Sequence, residues 1–464
     1  MLSNVWQTVT LNRLALSQWR EVSRLHKLLS FARSWRQGSL LLPWGDAIAL
    51  VIIAILFALA PYVPTSLIGV LLIACSAFWL LLTLTDEAGD GLTPIHLVVM
   101  AYWGIMVLAT ALSPVRGAAI AGLIKLTLNV LLFLLMARVL RHPRLRTTLV
   151  TVYLLTTLVV SVFGLRQWFF GAEALATWVD PTSNLVGTTR VYSYLGNPNL
   201  LAGYLIPAVM LSGAAIFAWP RWTPKLLAIL SLLVNMACLV LTFSRGGWLG
   251  FVGAGFMLLV LLVQFWSIRF NEFWRRWAIP VLLGGSAAFL CLAIAALDPL
   301  RDRVMSIFAG RSDSSNNFRI NVWMAVIDMI KARPILGIGP GNDAFNQIYP
   351  LFQRPRYTAL SAYSIVLEIA AEAGIIGLAI FFWLLSVTFG QGWRSLQRLR
   401  EMQSVQAYWL IAAIATMVGM LVHGLVDTIW FRPQVSTLWW LMLAIVASYY
   451  QNNQQLFDRN QSSF

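Results

Sequence analysis

Residues 44–61 read WGDAIALVIIAILFALAP, a run with a single charged side chain. The hydrocarbon core of a bilayer is about 30 Å thick, and a helix needs about 20 mainly apolar residues to cross it. Because backbone polar groups inside lipid must bond to one another, such a run can only be a helix or a strand of a closed barrel. Barrel strands alternate apolar and polar residues, and this run does not. The stretch therefore predicts a membrane-spanning helix.

Eleven more runs of this kind follow along the chain. They lie near 65–85, 94–112, 117–138, 147–165, 200–218, 225–243, 247–267, 277–297, 363–387, 406–427 and 436–450. Of the 464 residues, 59% are hydrophobic and 11% are charged, whereas about a quarter of a soluble domain is charged. The sequence predicts an all-α, polytopic membrane protein with about twelve spans.

The spans divide the chain into five parts. We expect a basic N-terminal segment at 1–43, nine spans in a membrane domain at 44–297, a large loop at 298–362, three further spans at 363–450, and a tail at 451–464. Nineteen basic residues flank the spans on the side of the N-terminus, and five lie on the other side outside the large loop. Because cytoplasmic loops carry the excess of Lys and Arg, both termini are predicted to be cytoplasmic and the large loop extracytoplasmic. The membrane is then the plasma (inner) membrane, with the thylakoid membrane as the alternative.

Composition also excludes several functions. The net charge of +15 is spread over many short loops instead of forming one stripe, so no nucleic-acid partner is expected. Cys75, Cys238 and Cys291 each lie inside an apolar run, and the four histidines are scattered. Neither set predicts a metal site, and no cofactor is expected.

Inside the large loop, Trp323, Val326, Ile327 and Ile330 recur at helical spacing. They predict an amphipathic helix at 317–332, capped by Ser314–Asn316 and ended by Pro334. The motif Gly337-Ile338-Gly339-Pro340-Gly341-Asn342 follows it. It lacks the order of a dinucleotide fingerprint, and it is either a turn that shapes a cavity or a plain connector.

Two arginines are candidates for binding an anion. Arg245 lies in Ser244-Arg245-Gly246-Gly247 between two spans, where glycines expose backbone N–H groups beside a guanidinium. The alternative is an arginine that reaches the membrane interface. Arg319 is predicted in the first turn of the loop helix, where a cation is unfavourable unless an anion joins it, and the alternative is a solvated loop cation.

Polar residues beside or within the spans are further candidates. Asn197 and Asn199 follow Arg190 and either cap the next helix or offer amides to a substrate. Charge inside a membrane marks function by default, which singles out Lys125, Glu368, Glu372, His423 and Asp427. The last four form two pairs at i, i+4 spacing. His423 and Asp427 are predicted to be a charge pair with an oriented imidazole, or His423 is simply a packed helix residue.

Several of these motifs together resemble the O-antigen ligase family, whose members join lipid-linked glycans to an acceptor lipid at the outer face of the membrane. The motifs are Ser244-Arg245-Gly246, Arg319 followed by Trp323, Gly337 to Phe345, and Leu367-Glu368 to Gly377. The resemblance implies that Arg245 and Arg319 hold the pyrophosphate of the donor. The family's loop histidine is replaced here by Tyr363, and a phenol with a pKa near 10 is a poor base at neutral pH.

Three segments are more similar to a cyanobacterial branch of that superfamily, classed as inorganic-carbon or bicarbonate transporters. They are Val191 to Asn199, Ser314 to Trp323 and Thr358 to Ser364. The resemblance implies a protein that serves bicarbonate accumulation, with Arg245, Arg319 and Arg190 as an outward-facing anion site, and this is the classification we favour from the sequence. The second hypothesis is a glycan ligase or polymerase in which Tyr363, Glu368 or His423 replaces the missing base. The expected partners are membrane lipid and either a small anion such as bicarbonate or a lipid-linked pyrophosphate glycan.

Overall fold

The computed structural model describes residues 2–11, 38–85, 92–173, 189–296, 301, 304–305 and 310–450. Most of the basic N-terminal segment, the acidic turn after the second span, the start of the large loop and the C-terminal tail lie outside these described residues. The helices are α1 (Leu2–Val9), α2 (Gly45–Leu59), α3 (Thr65–Thr85), α4 (Pro94–Ala111), α5 (Arg116–Val139), α6 (Pro143–Phe170), α7 (Pro198–Ala218), α8 (Trp222–Leu241), α9 (Arg245–Trp266), α10 (Glu272–Ala296), α11 (Ser314–Ala332), α12 (Asn342–Ile348), α13 (Ile365–Glu401), α14 (Ala407–Gly424) and α15 (Pro433–Ser448).

The all-α, polytopic architecture is confirmed. Among the described residues, eleven helices are long and apolar enough to cross a membrane, and each coincides with a predicted span. The twelfth predicted span is the shorter apolar helix α15, with 16 residues. The described part of the chain contains no strand. Local apolarity was enough to locate these helices because in lipid each one satisfies its own backbone.

The helices α7 and α14 lie at the centre of the bundle, and α9 packs against both of them. Within their apolar windows, α7 is 83% buried and α14 is 78% buried, whereas α10 is not buried at all. Small residues bring α9 and α14 together, since a Cβ on Gly250 would lie only 2.7 Å from the carbonyl oxygen of Gly419. Close approach at small residues is the usual way that helices pack in membranes. The start of α9 is therefore fixed against the end of α14.

The longest helix, α13, is interrupted at Gly374, where φ is +66°. This left-handed conformation suits a glycine, which has no Cβ. The break leaves the carbonyls of Ala371 and Glu372 free, and they accept hydrogen bonds from the N–H groups of Ile338 and Gly339 at 2.9 Å each. The glycine-rich turn of the loop is thus anchored to the interrupted helix.

The loop helix α11 is confirmed, but its cap was predicted wrongly. It begins at Ser314, and Asp313 caps it by accepting from the N–H of Asn316 at 2.9 Å. Asp313 precedes the first helical residue and so reaches the free N–H groups of the first turn, whereas Ser314, Ser315 and Asn316 already belong to that turn. Arg319 consequently lies in the second turn of α11 and not in the first.

Candidate anion-binding site

The site begins at Arg245, the first residue of α9. Ser244 caps this helix by accepting from the N–H of Gly247 at 3.1 Å. The side chain of Arg245 is 9% exposed, and its Nη2 donates to Oδ1 of Asp313 at 3.0 Å. The cap of the loop helix and the first residue of α9 are therefore joined by an ion pair. Arg245 is therefore buried against an anionic side chain of the protein and does not extend to the membrane interface.

The glycines after Arg245 allow close packing, as predicted, but the N–H of Gly247 is not free for a ligand. A Cβ on Gly246 would lie 2.7 Å from Cδ2 of His423, and one on Gly247 would lie 2.4 Å from Cβ of Ala202. The N–H of Gly247 already bonds to Ser244. These glycines bring α9 against α7 and α14, and Arg245 is held rigidly as a result.

Arg190 reaches the same place from the connection between α6 and α7. Its Nε donates to the carbonyl oxygen of Thr242 at 3.0 Å, and its Nη2 donates to Oδ1 of Asn199 at 3.3 Å. Burial, followed by the positive charges of Arg245 and Arg319, lowers the pKa of Arg190 to about 10. Arginines affect one another in this way only when their charges lie close together. Contacts place them in one region as well. Asn199 joins Arg190 to Asp427, and Asp313 joins Arg245 to the start of the helix that carries Arg319.

Arg319 is the third cation. Its Nη1 donates to Oγ of Ser315 at 3.0 Å, whereas its buried Nε has no hydrogen-bond partner in the described part of the protein. Burial lowers the pKa of Arg319, and the carboxylate of Asp427 acts in the opposite direction. A buried guanidinium N–H without a partner is costly, so an acceptor from outside the chain would stabilise it.

Asp427 is the carboxylate that faces these arginines. Its Oδ2 accepts from Nδ2 of Asn199 at 2.8 Å, and its Oδ1 accepts from the N–H of Thr428 at 2.8 Å. The oxygen of the Asn199 amide holds Arg190 and its nitrogen holds Asp427, so this amide links a cation to an anion. Asn197 instead caps α7, accepting from Asn199 and Leu200 at 2.8 and 3.2 Å. Asn197 is therefore a helix cap, which is one of the two roles predicted for it.

No hydrogen bond joins His423 to Asp427 among the described residues, which corrects the predicted pair. The i, i+4 argument requires a continuous helix, but α14 ends at Gly424 and Asp427 lies in the following turn. His423 is completely buried against Gly246, and neither ring nitrogen has a hydrogen-bond partner in the described structure.

Glu368 and Glu372 hold the loop instead of facing the arginines. Oε2 of Glu368 accepts from the N–H of Ala362 at 2.7 Å, and Oε1 of Glu372 accepts from the N–H of Gly341 at 2.6 Å. Lys125 bonds to Asp343 at 3.3 Å, and both side chains are more than half exposed, so Lys125 is not a buried charge. The glycine-rich turn is more than a plain connector. It docks the loop, with Ser113 donating to the carbonyl oxygen of Ile338 at 2.6 Å.

Tyr363 lies at the edge of the cluster, in the segment that precedes α13. Its φ is +49°, and its carbonyl oxygen accepts from Nε1 of Trp323 at 3.4 Å. Its hydroxyl makes no hydrogen bond within the described residues, although the charges of Asp427 and Arg319 both act on it. Burial first, and then Asp427, raises the pKa of Tyr363 above its ordinary value.

The sequence did not reveal the two acidic partners of the arginines. Asp313 carried a signal, since it directly precedes a helical pattern and is a favoured capping residue. Asp427 is positioned through Thr428, whose hydroxyl bonds to that of Ser361 at 2.6 Å, and no sequence pattern predicts this contact.

These features define a multi-pass helical membrane protein with a cluster of one buried and two half-buried arginines where a large loop meets the bundle. The model of the O-antigen ligase family matches residues 226–382, which is less than half of the chain. This region is similar to O-antigen ligases and contains Arg245, Arg319 and Tyr363, whereas Arg190, Asn199 and Asp427 lie outside it. No curated protein matches the chain.

Proposed function

We propose that this protein binds the pyrophosphate of a lipid-linked glycan at Arg190, Arg245 and Arg319 and transfers the glycan to an acceptor. The observation that carries the proposal is the convergence of three arginines where the loop helix meets the bundle, with the buried Nε of Arg319 lacking a partner among the described residues. Guanidinium forks match the geometry of phosphate oxygens, and charge-assisted hydrogen bonds are the strong ones. The similarity of residues 226–382 to O-antigen ligases supports the same class of substrate.

An apolar groove between α9 and α10 supports a lipid-linked ligand. It has a volume of about 650 Å³, and Val252, Phe256 and Leu259 are among the residues that line it. These three lie 7, 11 and 14 residues after Arg245, so they share its face of α9. With a rise of about 1.5 Å per residue, the groove begins about 10 Å from Arg245 along the helix axis. A head group at the arginines would therefore have room for its hydrocarbon chain in the groove.

We also propose that the arginine cluster faces the extracytoplasmic side, because the opposite ends of the helices carry most of the basic residues. Arg138, Arg146, Arg394, Arg398 and Arg400 lie at those ends. A lipid-linked glycan is then bound after it has crossed the membrane.

The first test is a binding measurement on the full-length protein in lipid nanodiscs, with geranylgeranyl pyrophosphate as the probe. Arg319→Gln is expected to weaken binding by roughly tenfold or more, since a hydrogen bond to a charged group contributes about 1.5–3 kcal/mol. Arg311→Gln is the matched control, because Arg311 is an exposed arginine of the same loop. Equal affinities for the two variants would reject the site.

The second test concerns glycan transfer. A strain that lacks this protein is expected to lose one glycan-bearing lipid from its surface, and the wild-type gene should restore it. An unchanged profile of surface polysaccharide and glycosylated lipid would reject the transfer function even if the probe binds.

A bicarbonate or inorganic-carbon carrier is the second candidate, and one observation favours it. Three arginines and the carboxylates of Asp313 and Asp427 leave the cluster with a single positive charge, which a monovalent anion would neutralise. The close packing of α9 against α14 beneath the cluster weighs against a path through the bundle. Bicarbonate flux into proteoliposomes that contain only this protein would support the carrier, and flux equal to that of empty vesicles would reject it.

A further inference from the structure

Tyr363 adopts a backbone conformation that a bulky residue rarely takes. Its φ of +49° lies in the left-handed region, where a large side chain is unfavourable. Such residues concentrate at functional sites, and they persist only where the surroundings fix them. The conformation of Tyr363 therefore calls for a functional reason.

Contacts on both sides hold Tyr363 in this conformation. The N–H of Ala362 donates to Glu368 at 2.7 Å, and Trp323 donates to the carbonyl oxygen of Tyr363 at 3.4 Å. The ring of Tyr363 also packs edge-on against Phe318, with 5.5 Å between the ring centroids. Despite these restraints, the phenol hydroxyl makes no hydrogen bond within the described structure. The side chain is thus fixed with its polar atom left for another group.

Asp427 is tied to the same short segment. Thr428 donates its N–H to Oδ1 of Asp427 and its hydroxyl to Oγ of Ser361, two residues before Tyr363. Each oxygen of Asp427 accepts one hydrogen bond, while an ionised carboxylate can accept about four. The carboxylate therefore keeps the capacity to receive a proton.

We propose that Tyr363 and Asp427 act together as the proton acceptor of the transfer reaction, with Tyr363 touching the hydroxyl group of the acceptor. This inference rests on the proposed function. The acceptor oxygen forms a bond to the anomeric carbon of the donor sugar, and the bond from that carbon to the pyrophosphate oxygen breaks. The electron pair leaves with the pyrophosphate, whose charge the three arginines stabilise. The acceptor proton passes to the oxygen of Tyr363 while the phenol proton passes to Asp427 through one water molecule, because no direct hydrogen bond joins the two side chains in the described structure.

This arrangement explains why a neutral phenol serves where an imidazole is the ordinary choice. The phenol does not have to ionise, because it gains one proton as it gives up another. Asp427 then returns its proton to water when the products leave.

The test uses membranes from the deletion strain complemented with full-length variants, which supply the native donor and acceptor lipids. Tyr363→Phe and Asp427→Asn are each expected to slow glycan transfer by roughly 100-fold or more, as the loss of a general acid or base does. The double variant should be no slower than either single variant, because the two groups act as one unit. Tyr357→Phe is the matched control on the same loop and should keep most of the activity.

Binding separates a catalytic defect from a folding defect. Asp427→Asn removes a negative charge from beside Arg190 and Arg319, so its affinity for geranylgeranyl pyrophosphate should be unchanged or higher. Slow transfer combined with intact binding supports the relay. Normal transfer by Tyr363→Phe would overturn it while leaving the proposed function intact. A wild-type protein that neither binds the probe nor restores the glycan would overturn both.

Discussion

Arg245 and Asp313 form an ion pair of 3.0 Å in which the arginine is 9% exposed, and this pair joins the first residue of α9 to the cap of the loop helix α11. The carboxylate occupies the position that an anionic ligand would take on this guanidinium. If the arginines bind the ligand as proposed, Asp313 both orders the loop and competes with that ligand.

The first prediction follows from this competition. Asp313→Asn keeps the cap, since Asn and Asp are about equally good at this position, but it removes the competing charge. We expect geranylgeranyl pyrophosphate to bind several-fold more tightly, while the free energy of unfolding falls by about 1.5–3 kcal/mol because the buried Arg245 then has a neutral partner in place of a carboxylate. A binding titration and thermal unfolding in the same nanodiscs measure the two quantities. Asp328→Asn, which removes a loop carboxylate paired with Arg354, is the control, and weaker binding by Asp313→Asn would contradict the prediction.

The second prediction concerns the break in α13. A Cβ at Gly374 would lie 2.2 Å from the carbonyl oxygen of Ile335, and the φ of +66° is unfavourable for alanine. We expect Gly374→Ala to lower the stability by about 1–3 kcal/mol and to loosen the docked loop, which limited proteolysis would detect. Gly104→Ala on α4, where a Cβ would meet nothing within 4 Å, should leave both properties unchanged. If both variants resist the protease equally, the break does not anchor the loop.

The third prediction concerns the groove. Val252→Trp fills the space beside α9 and should weaken the binding of geranylgeranyl pyrophosphate by about tenfold, which corresponds to about 1.4 kcal/mol. Inorganic pyrophosphate, which has no hydrocarbon chain, should bind as it does to the wild type. Leu230→Trp on α8 enlarges another exposed apolar side chain outside the groove and serves as the control. An equal loss for both ligands would show that the groove does not hold the chain.

The spans could be predicted from the sequence because each apolar run specifies its own helix. The candidate site could be predicted only in part. Arg190, Arg245 and Arg319 were recognisable as charges beside apolar runs, but their acidic partners lie far away in the sequence. The pair of Arg245 and Asp313 is 68 residues apart, and that of Asn199 and Asp427 is 228 residues apart.

The spacing of residues along the sequence also gave wrong predictions at places where a helix ends or is interrupted. His423 and Asp427 satisfy the i, i+4 rule on paper, yet α14 stops at Gly424 between them. Gly374 lies in a run that reads as continuous helix, and only the packing of Ile335 against it reveals why the helix breaks there. Gly424 is itself a local signal for a helix end, whereas the contact of Gly374 with Ile335 is long-range and no local pattern encodes it.

The fourth prediction concerns the protonation of Tyr363. Burial and the charge of Asp427 raise the pKa of this phenol above its ordinary value near 10, so the side chain stays neutral throughout the physiological range. When the wild type and Tyr363→Phe are titrated in parallel, the difference in tyrosinate absorbance should stay at zero up to about pH 10. A tyrosinate signal at lower pH would mean that the phenol ionises and can act as a simple base without Asp427.

Tyr363→His gives the complementary result. An imidazole has an ordinary pKa of about 6.5 and accepts a proton only when it is neutral, so the variant should lose transfer activity as the pH falls below about 6.5. Above that pH the imidazole accepts the proton by itself, and Asp427→Asn should then cost the variant much less than it costs the wild type. The rate of glycan transfer between pH 5 and 9, measured for both single variants and their combination, tests this dependence. If Asp427→Asn slows the histidine variant as much as the wild type, Asp427 does not act through the side chain at position 363.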